Sequence, residues 1–510
     1  MKKFVLPIFL LVVCSAFAQE NTVPEKKTLN GFFAMDYLSI DMPTNDLGPD
    51  ELHMGLSGIH YNLKFNDFYG GLGMYGSVRG KRGGFFTLGV NLGYQSLLTD
   101  RLFLDTGVHF GGGGGAGAPD GGGAFILPHA NLGYQFNSFS LTAGYSYINF
   151  FDAGEIKSHQ LNVSLQVPID VDYSSVNDAD QEFKVSDLKK TAWNKKARRM
   201  SFMLHLNNLS ANGNSQNNLG ESLIGTTIRL AGFEVNSYLN NDWFLFAKFD
   251  GAYDGIRAGY MNILLGGGYH FGFNKNRTNI LTKFGMGAGG GGSVETKGGM
   301  LMYPDISIEQ HISNNVYLSV NKGFLMSPDA FFESSTFGVG LKYYTNINGV
   351  KDLDDNQESK FKAFEVVVKQ DLYLKADRMM QPTENLHQIA VQLNYFLNKN
   401  VYLAGQTAFA NFGNAGAYAE GIVGLGVKTN SIFNDRVNIF LQALAGGAGG
   451  GAISTGEGLI FKPSVGMNYH LNDGFSLRGA LGYVKARGGE LSSPMINLGL
   501  SYRFAFLSSK

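Results

Sequence analysis

The chain has 510 residues; 16% are charged, 13% are aromatic, 69 are glycine, and the formal net charge is −1. After residue 18 no stretch approaches the roughly 20 continuous apolar residues of a spanning helix, so a helical membrane protein is excluded. The high glycine and aromatic content is unusual for a soluble chain of this size. No nucleic-acid partner is expected.

The first 18 residues have the features of a secretory signal peptide. A short basic start at Met1–Lys3 precedes an apolar core and the small-residue cleavage pattern Ala16-Phe17-Ala18. The single cysteine, Cys14, lies inside this segment, so the mature chain is expected to form no disulfide. Lipidation at Cys14 is an alternative, although Val13 is larger than the residue that usually precedes a lipidated cysteine.

An 18-residue pattern occurs three times, as glycine-rich sequence followed by an apolar run and a proline. The copies are 111–128 (GGGGGAGAPDGGGAFILP), 287–304 (GAGGGGSVETKGGMLMYP) and 446–463 (GGAGGGAISTGEGLIFKP). Each copy occupies the same place in a longer period of about 145 residues, which indicates a triplicated chain. The predicted units are residues 30–170, 200–345 and 361–507, separated by linkers at 171–199 and 346–360.

Each unit contains eight segments in which residue character alternates with period two, as in β-strands. In 84–98, for example, Phe86, Leu88 and Leu92 share one face, which is suited to face lipid, while Thr87 and Asn91 share the other. The predicted strands are 31–40, 51–64, 68–79, 84–98, 101–110, 122–136, 139–150 and 158–169; 200–209, 222–239, 243–253, 256–271, 279–287, 298–311, 316–324 and 336–344; 361–374, 386–396, 401–412, 417–428, 437–445, 456–470, 475–484 and 495–506.

A bilayer can be crossed without helices only by a closed β-sheet, whose sequence signature is about ten-residue alternating segments separated by turns. The last segment, 500–506 (LSYRFAF), alternates and ends on an aromatic residue. In these features residues 30–506 resemble the Gram-negative outer-membrane β-barrel proteins, in particular the small eight-stranded OmpX/OmpA-like barrels. The resemblance implies an all-β, antiparallel transmembrane barrel of about 24 strands in a Gram-negative outer membrane.

Turn chemistry predicts the orientation of this barrel. Connections from even to odd strands are short and rich in Asn and Asp, as expected of tight hairpins, whereas the other connections are more varied. Barrels of this kind have short periplasmic turns and longer outer loops, so the glycine tracts are expected outside and both termini in the periplasm. The short turns are Asn66-Asp67, Thr99-Asp100, Asn137-Ser138, Asn240-Asn241, Asn274-Lys275-Asn276, Asn314-Asn315, Asn398-Lys399-Asn400, Asn434-Asp435 and Asn472-Asp473.

Twenty-four strands could close as one wide barrel or as three barrels of eight. No plug domain is evident, and the faces expected to point inward alternate tyrosine with glycine, as at Tyr69, Gly71, Gly73 and Tyr75, which suits a filled interior. The linkers are also much longer than the turns within a unit. Three tandem eight-stranded barrels are therefore favoured. In the first linker, Ser186 is predicted to cap a short helix over 187–199.

No catalytic, metal or cofactor site is predicted. The residue after the shared proline is His129, Asp305 or Ser464, a triad in composition only, because the three positions would be far apart. The acidic segment at 352–356 lacks the glycine and glutamate of a calcium loop. The glycine tracts precede strands and lack the Lys-Ser or Lys-Thr ending of a phosphate loop.

The sequence therefore predicts a non-catalytic outer-membrane scaffold or interaction subunit that contacts lipid, with other outer-membrane or periplasmic proteins as candidate partners. A single 24-stranded pore for diffusion or export is the first alternative, and an outer-membrane hydrolase with its site at the barrel rim is the second. Glycine permits close backbone approach, so the three tracts are candidate partner surfaces. The candidate positions are Gly111, Gly115, Gly121, Gly287, Gly292, Gly298, Gly446, Gly451 and Gly456.

Overall fold

A computed structural model describes residues 23–43 and 51–509. The predicted signal peptide, with Cys14, lies outside the described residues. Within them the chain is all-β, with 27 strands whose pairings are all antiparallel, one helical turn and one 3₁₀ turn. The described part of the chain holds no helix long and apolar enough to cross a membrane.

The first eight long strands close on themselves. Strand β2 pairs with β3 along one edge and with β9 along the other, for example through Phe33 and Val167. This closed sheet is called the first ring. Its strands are β2 (Gly31–Asp41), β3 (His53–Phe65), β4 (Phe68–Arg79), β5 (Phe86–Leu97), β6 (Leu102–Gly114), β7 (Phe125–Gln135), β8 (Ser140–Phe150) and β9 (Lys157–Pro168), and the three-residue β1 (Lys27–Leu29) precedes them.

The next eight long strands form the second ring, in which β12 pairs with both β13 and β19. The closing register runs from Arg198 opposite Ile347 to Gly213 opposite Phe332. The strands are β12 (Arg198–Gly213), β13 (Thr227–Tyr238), β14 (Trp243–Asp254), β15 (Met261–Phe273), β16 (Thr278–Gly290), β17 (Met300–Ser313), β18 (Val316–Met326) and β19 (Phe332–Ile347).

The last eight strands form the third ring, in which β20 pairs with β21 and with β27. Each unit is closed by pairing between its own first and last strands, which are β2 with β9, β12 with β19 and β20 with β27. One 24-stranded ring would need these same strand edges to join neighbouring units. The strands are β20 (Glu358–Arg378), β21 (Gln381–Phe396), β22 (Val401–Phe412), β23 (Ala419–Lys428), β24 (Val437–Gly449), β25 (Leu459–His470), β26 (Phe475–Ala486) and β27 (Ser492–Ser509).

The period-two alternation separates the inside of each ring from the outside. On β5, Thr87, Asn91 and Gln95 are buried in the ring interior, whereas Leu92 is 61% exposed on the outer face. Tyrosine and glycine pair inside as expected: a Cβ atom added at Gly93 would lie 2.1 Å from the ring of Tyr69. The interiors are therefore filled by side chains, and the outer faces are largely apolar.

The segments between the rings are more ordered than the sequence suggested. The predicted helix over 187–199 is wrong: an α-helical turn spans Val185–Leu188, Ser186 does not cap it, and Arg198 begins β12. Two short strands, β10 (Val171–Tyr173) and β11 (Glu182–Lys184), pair with β1 and β20. The sequence predicts only a polar linker at β10 and β11, because a strand of three residues is too short to show a detectable alternation.

A small apolar core holds the linkers against the third ring. Trp193 is fully buried, and its indole nitrogen donates a 2.8 Å hydrogen bond to the carbonyl oxygen of Pro24. Phe361 and Leu507 pack in the same cluster. The first linker therefore lies against the end of the third ring at which the Asn-rich turns are found.

Candidate functional site: the glycine hairpins between the rings

The three glycine hairpins have the same backbone conformation. Five matching positions have positive φ in all three copies, although the residues differ. Matching hydrogen bonds also recur, such as those from Ala118, Val294 and Ile453 to the carbonyl three residues earlier, each 3.0 Å. Left-handed backbone is accessible to glycine at little cost. The five sets are Gly115, Gly291 and Gly450; Ala116, Gly292 and Gly451; Gly117, Ser293 and Ala452; Gly121, Lys297 and Gly456; and Gly123, Gly299 and Gly458.

The hairpin of the first ring contacts the third ring. The amide of Gly416 donates a 3.0 Å hydrogen bond to the carbonyl of Gly121, and the amide of Gly413 donates to the Asp152 carboxylate at 3.1 Å. A Cβ atom added at Gly112 on β6 would lie 2.4 Å from the carbonyl oxygen of Ala410 on β22. The two backbones therefore approach more closely than any larger residue at 112 would allow.

The hairpin of the second ring contacts the first ring in the equivalent way. The amide of Gly83 donates to the carbonyl of Lys297 at 2.5 Å, and the hydroxyl of Ser77 donates to the carbonyl of Gly298 at 2.8 Å. A Cβ atom added at Gly290 on β16 would lie 2.6 Å from the carbonyl carbon of Gly83.

The hairpin of the third ring contacts the second ring. A Cβ atom added at Gly449 on β24 would lie 2.5 Å from the amide nitrogen of Gly259, and one added at Gly447 would lie 2.9 Å from the carbonyl oxygen of Ala252 on β14. In every case the fifth strand of one ring meets the third strand of the next. The contacts therefore run in a closed cycle, from the first ring to the third, from the third to the second, and from the second to the first.

An apolar cluster on the outer faces of all three rings lies beside these contacts. Phe86 and Leu88 come from the first ring, Ile263 and Ala288 from the second, and Val391 and Phe409 from the third. Phe86 and Leu88 were expected to face lipid; they are buried against neighbouring rings instead. Farther along β5 towards the Asn-rich turns Leu92 is exposed, so the close packing of β5 is confined to the end that carries the glycine hairpins.

The nine predicted glycines divide into two groups. Gly121 and Gly298 contact a neighbouring ring directly. The other seven have their closest neighbours within their own ring, where they shape the hairpins: Gly111, Gly115, Gly287, Gly292, Gly446, Gly451 and Gly456. Sequence reasoning missed the receiving glycines, including Gly83, Gly259 and Gly416. Their signal was weak, because they stand in the connections between third and fourth strands, outside the repeated 18-residue pattern.

The first hairpin itself carries a buried carboxyl group. Asp120 follows Pro119 in the first hairpin and accepts a 2.7 Å hydrogen bond from the amide of Gly115. Burial raises the pKa of Asp120 to about 7, against the smaller lowering effects of the backbone hydrogen bonds and of Arg82. The matching residues, Thr296 and Thr455, are also buried and carry no charge.

The ring interiors are polar and crossed by buried ion pairs. In the second ring, Lys283 lies 2.8 Å from Glu234 and 3.2 Å from Asp305. In the third ring, Lys462 lies 2.6 Å from Asp371 and 2.5 Å from Glu420. In the first ring, Tyr75 donates a 2.7 Å hydrogen bond to Asp36, and Arg82 and Glu51 form a buried ion pair at 3.0 Å near the hairpin. Paired charges of this kind can be buried, whereas isolated ones cannot.

The structure does not assemble a hydrolytic or metal site from the residues considered above. His129 lies on β7, Asp305 on β17 and Ser464 on β25, so each belongs to a different ring. His129 instead contacts Tyr69 at 3.2 Å. Within residues 23–43 and 51–509, no group of three or more His, Cys, Asp or Glu residues is arranged to hold a metal ion.

No protein-family model matches the chain, and no curated protein matches it in sequence. Among solved structures, it is similar to a mutant ferric enterobactin receptor (PfeA) of Pseudomonas aeruginosa in complex with enterobactin, with 8% identity and a TM-score of 0.28 over 93% of this chain and 81% of that one. It is also similar to Pseudomonas aeruginosa OpdQ, with 6% identity and a TM-score of 0.21 over 94% of this chain and 98% of that one. A third similar structure is the outer membrane protein OpdK of the same organism, with 10% identity and a TM-score of 0.22 over 94% of this chain and 99% of that one.

The architecture of the described residues combines closed antiparallel sheets, interiors filled by polar and apolar side chains, and largely apolar outer faces. A sheet that closes on itself leaves no unpaired edge, and an apolar exterior is stable only where lipid or another apolar surface covers it. Leu161, Leu425 and Leu498 are among the exposed apolar side chains on the three rings. The described residues form closed antiparallel β-barrels with largely apolar outer faces.

Proposed function

We propose that this protein is a non-catalytic outer-membrane scaffold in which three homologous eight-stranded units, residues 30–170, 200–345 and 361–507, act as one rigid body. The observation that carries the proposal is the closed cycle of glycine contacts, in which each hairpin is received by the next ring. The glycine tracts then serve mainly to join the units of one chain. The Asn-rich turns and the linkers lie on the periplasmic side in this proposal, and the hairpins lie outside.

The filled interiors support a scaffold more than an open pore. Eight-stranded barrels have interiors just wide enough for side chains. In the second and third rings, buried lysines pair with carboxylates at 2.5 to 3.2 Å, and opening a water-filled path there would require these pairs to separate. The surface left for an external partner includes the hairpin between β12 and β13, where Leu219 is 83% exposed.

Two measurements test the proposal. Because no cysteine follows Cys14, Gly76→Cys with Ala288→Cys introduces one defined pair across the first and second rings. The two Cβ atoms would lie 2.6 Å apart, so the strands must separate by about 1 Å to reach the roughly 3.8 Å of a disulfide. This pair should cross-link in native membranes. The control pair, Leu161→Cys with Leu498→Cys, occupies highly exposed outer positions on β9 of the first ring and β27 of the third, and it should not cross-link. Equal cross-linking of both pairs, or large stable channels in planar bilayers, would contradict the scaffold.

A second candidate is passage of small solutes. The observation that favours it is a cavity of about 680 Å³ at the Asn-turn end of the third ring, beside an interior that contains buried polar and charged side chains. Arg478 and Glu365, 3.9 Å apart, lie at that end of the interior. If solutes pass through this ring, Arg478→Gln should alter the single-channel conductance. Asp36→Asn, a substitution in the interior of the first ring, serves as the control and should not.

A further inference from the structure

The cavity at the Asn-turn end of the third ring is closed on one side by the first linker. The 3₁₀ turn Val176–Asp178 and the residues after it form this cover. On one side of the turn Ser174 and Ala505 exchange backbone hydrogen bonds of 2.7 and 3.1 Å, and on the other Asp180 donates to Phe361 at 2.8 Å. The cover is thus fixed by backbone bonds to β20 and β27. A volume of about 680 Å³ is in the range of small-molecule sites.

Positive charge is concentrated on the inner wall of this cavity. The half-buried Lys428 and Arg503 line it. Arg478 lies one layer deeper and is fully buried. The carboxylate beside these cations is Glu365, 3.9 Å from Arg478, and it also accepts a 2.6 Å hydrogen bond from Asn394. Three cations therefore share one carboxylate in a partly dehydrated space, where like charges repel strongly.

The cations also have unused donor capacity. No carboxylate of the described residues lies within 4.0 Å of the Lys428 ammonium or the Arg503 guanidinium. The ammonium of Lys428 lies 4.7 Å from the centre of the Phe396 ring, and one Arg503 nitrogen is 3.0 Å from Nδ1 of His470. The Nε–H of Arg503 is buried without a hydrogen-bond partner. A buried donor without a partner is costly, which points to an acceptor that the chain itself does not supply.

Acidic residues in the lining do not supply that acceptor. Asp435 and Asp473 lie in the exposed turns at the rim, and Asp180 is directed to Lys360 and Lys362, at 3.7 and 3.9 Å. The deeper wall thus remains cationic while the rim is mixed. An anion that presents several oxygen atoms would satisfy both Lys428 and Arg503, and a phosphate group has the geometry that a guanidinium binds best.

We propose that the mouth of the third ring, beneath the first linker, binds a phosphate group, carried either by a small solute or by a lipid headgroup, through Lys428 and Arg503. The site does not depend on whether the chain conducts solutes or acts as a scaffold. It belongs to the third ring because residues 174–181 cover only that ring.

The test is isothermal titration of the full-length protein, purified in non-ionic detergent at low salt, with inorganic phosphate. The wild type should bind saturably. Arg503→Gln and Lys428→Gln should each weaken binding about tenfold or more, the loss expected when a charged hydrogen bond is removed. Arg503→Lys should retain part of the affinity. The matched control, Arg277→Gln in an exposed turn of the second ring, should bind as the wild type does.

Each variant is first shown to be folded by its heat-modifiable migration in gels. Titration with dihexanoyl phosphatidic acid separates the two sources: Arg503-dependent binding tighter than that of inorganic phosphate assigns a lipid headgroup, and equal or weaker binding assigns a free phosphate compound. Folded wild type without saturable binding of either probe, or binding unchanged in both Gln variants, would overturn the proposal.

Discussion

The amide of Gly416 in the third ring donates a 3.0 Å hydrogen bond to the carbonyl of Gly121 in the first. The two residues are almost three hundred positions apart, yet a Cβ atom at Gly416 would lie 2.8 Å from the same carbonyl oxygen. Contact this close between main chains requires glycine on the receiving side. Such contacts give the interfaces between rings their sensitivity to small changes in side-chain volume.

Gly112→Leu should therefore weaken the contact between the first and third rings. The added side chain collides with the backbone of Ala410, and overpacking of this kind typically costs about 1–3 kcal/mol. The thermal midpoint of the purified protein should fall. Gly421→Leu, at an outer position of β23 with no neighbour within 4 Å of an added Cβ, is the matched control; an equal loss in both variants would show that the interface is not the cause.

The first hairpin should become less stable as pH rises. The Asp120 pKa is raised to about 7 in the folded chain, so the folded state holds a proton that the unfolded state has released above about pH 4. Stability is therefore greatest below pH 4 and is lost progressively up to about pH 7, by roughly 4 kcal/mol at most. The protection factor of the Gly115 amide, which is the exchange rate of an unstructured amide at the same pH divided by its own exchange rate, should fall over this range. In Asp120→Asn, which can still accept that hydrogen bond, the fall should be absent.

Epitope insertion tests the orientation. An epitope after Gly220, in the exposed hairpin between β12 and β13, or after Met380, between β20 and β21, should be labelled on intact cells. An epitope after Asn240 or Asn434, in the Asn-rich turns, should be labelled only after the outer membrane is permeabilised. The reverse pattern would invert the assignment. Asp120, Thr296 and Thr455 are unsuitable insertion points because all three are buried.

A protease site placed at 354–356 should cut the second linker without opening a ring. Because β20 pairs with β27 and β12 with β19, each product retains paired edges. The two fragments should stay together in native gels through the glycine contacts and separate on heating, each with the migration of a folded barrel. Fragments that unfold at once on cleavage would show that the seams depend on an intact chain.

The sequence predicted the long strands well because one face of each strand points into the ring and the other points outward. Side-chain character therefore alternates with period two along the strand. All 24 were located, and β4 and β22 have the predicted bounds. Errors cluster where glycine removes the alternation: β6, β16 and β24 extend to Gly114, Gly290 and Gly449, beyond the predicted ends. Glycine has no side chain to assign to a face, so period two carries no information there.

The candidate site was only half predictable. The repeated tracts attracted attention through composition, but the surface that receives each tract is formed by isolated residues such as Gly83 and Ala410, whose neighbours come from another ring. Likewise, Phe86 and Leu88 were identified as outward-facing, but whether an outward face meets lipid or protein depends on the packing of whole rings. Nothing in the local pattern distinguishes these two environments.

Because the three rings are joined in one chain, each ring can change its sequence independently of the other two. Three separate copies of one ring, joined fifth strand to third strand, would form a symmetric trimer that dissociates on dilution and in which every substitution appears three times. Fusion in one chain holds the partners at high effective concentration and frees each copy to change alone. The cation-rich mouth beneath the first linker occurs at a single ring, an asymmetry that a trimer of identical subunits could not carry.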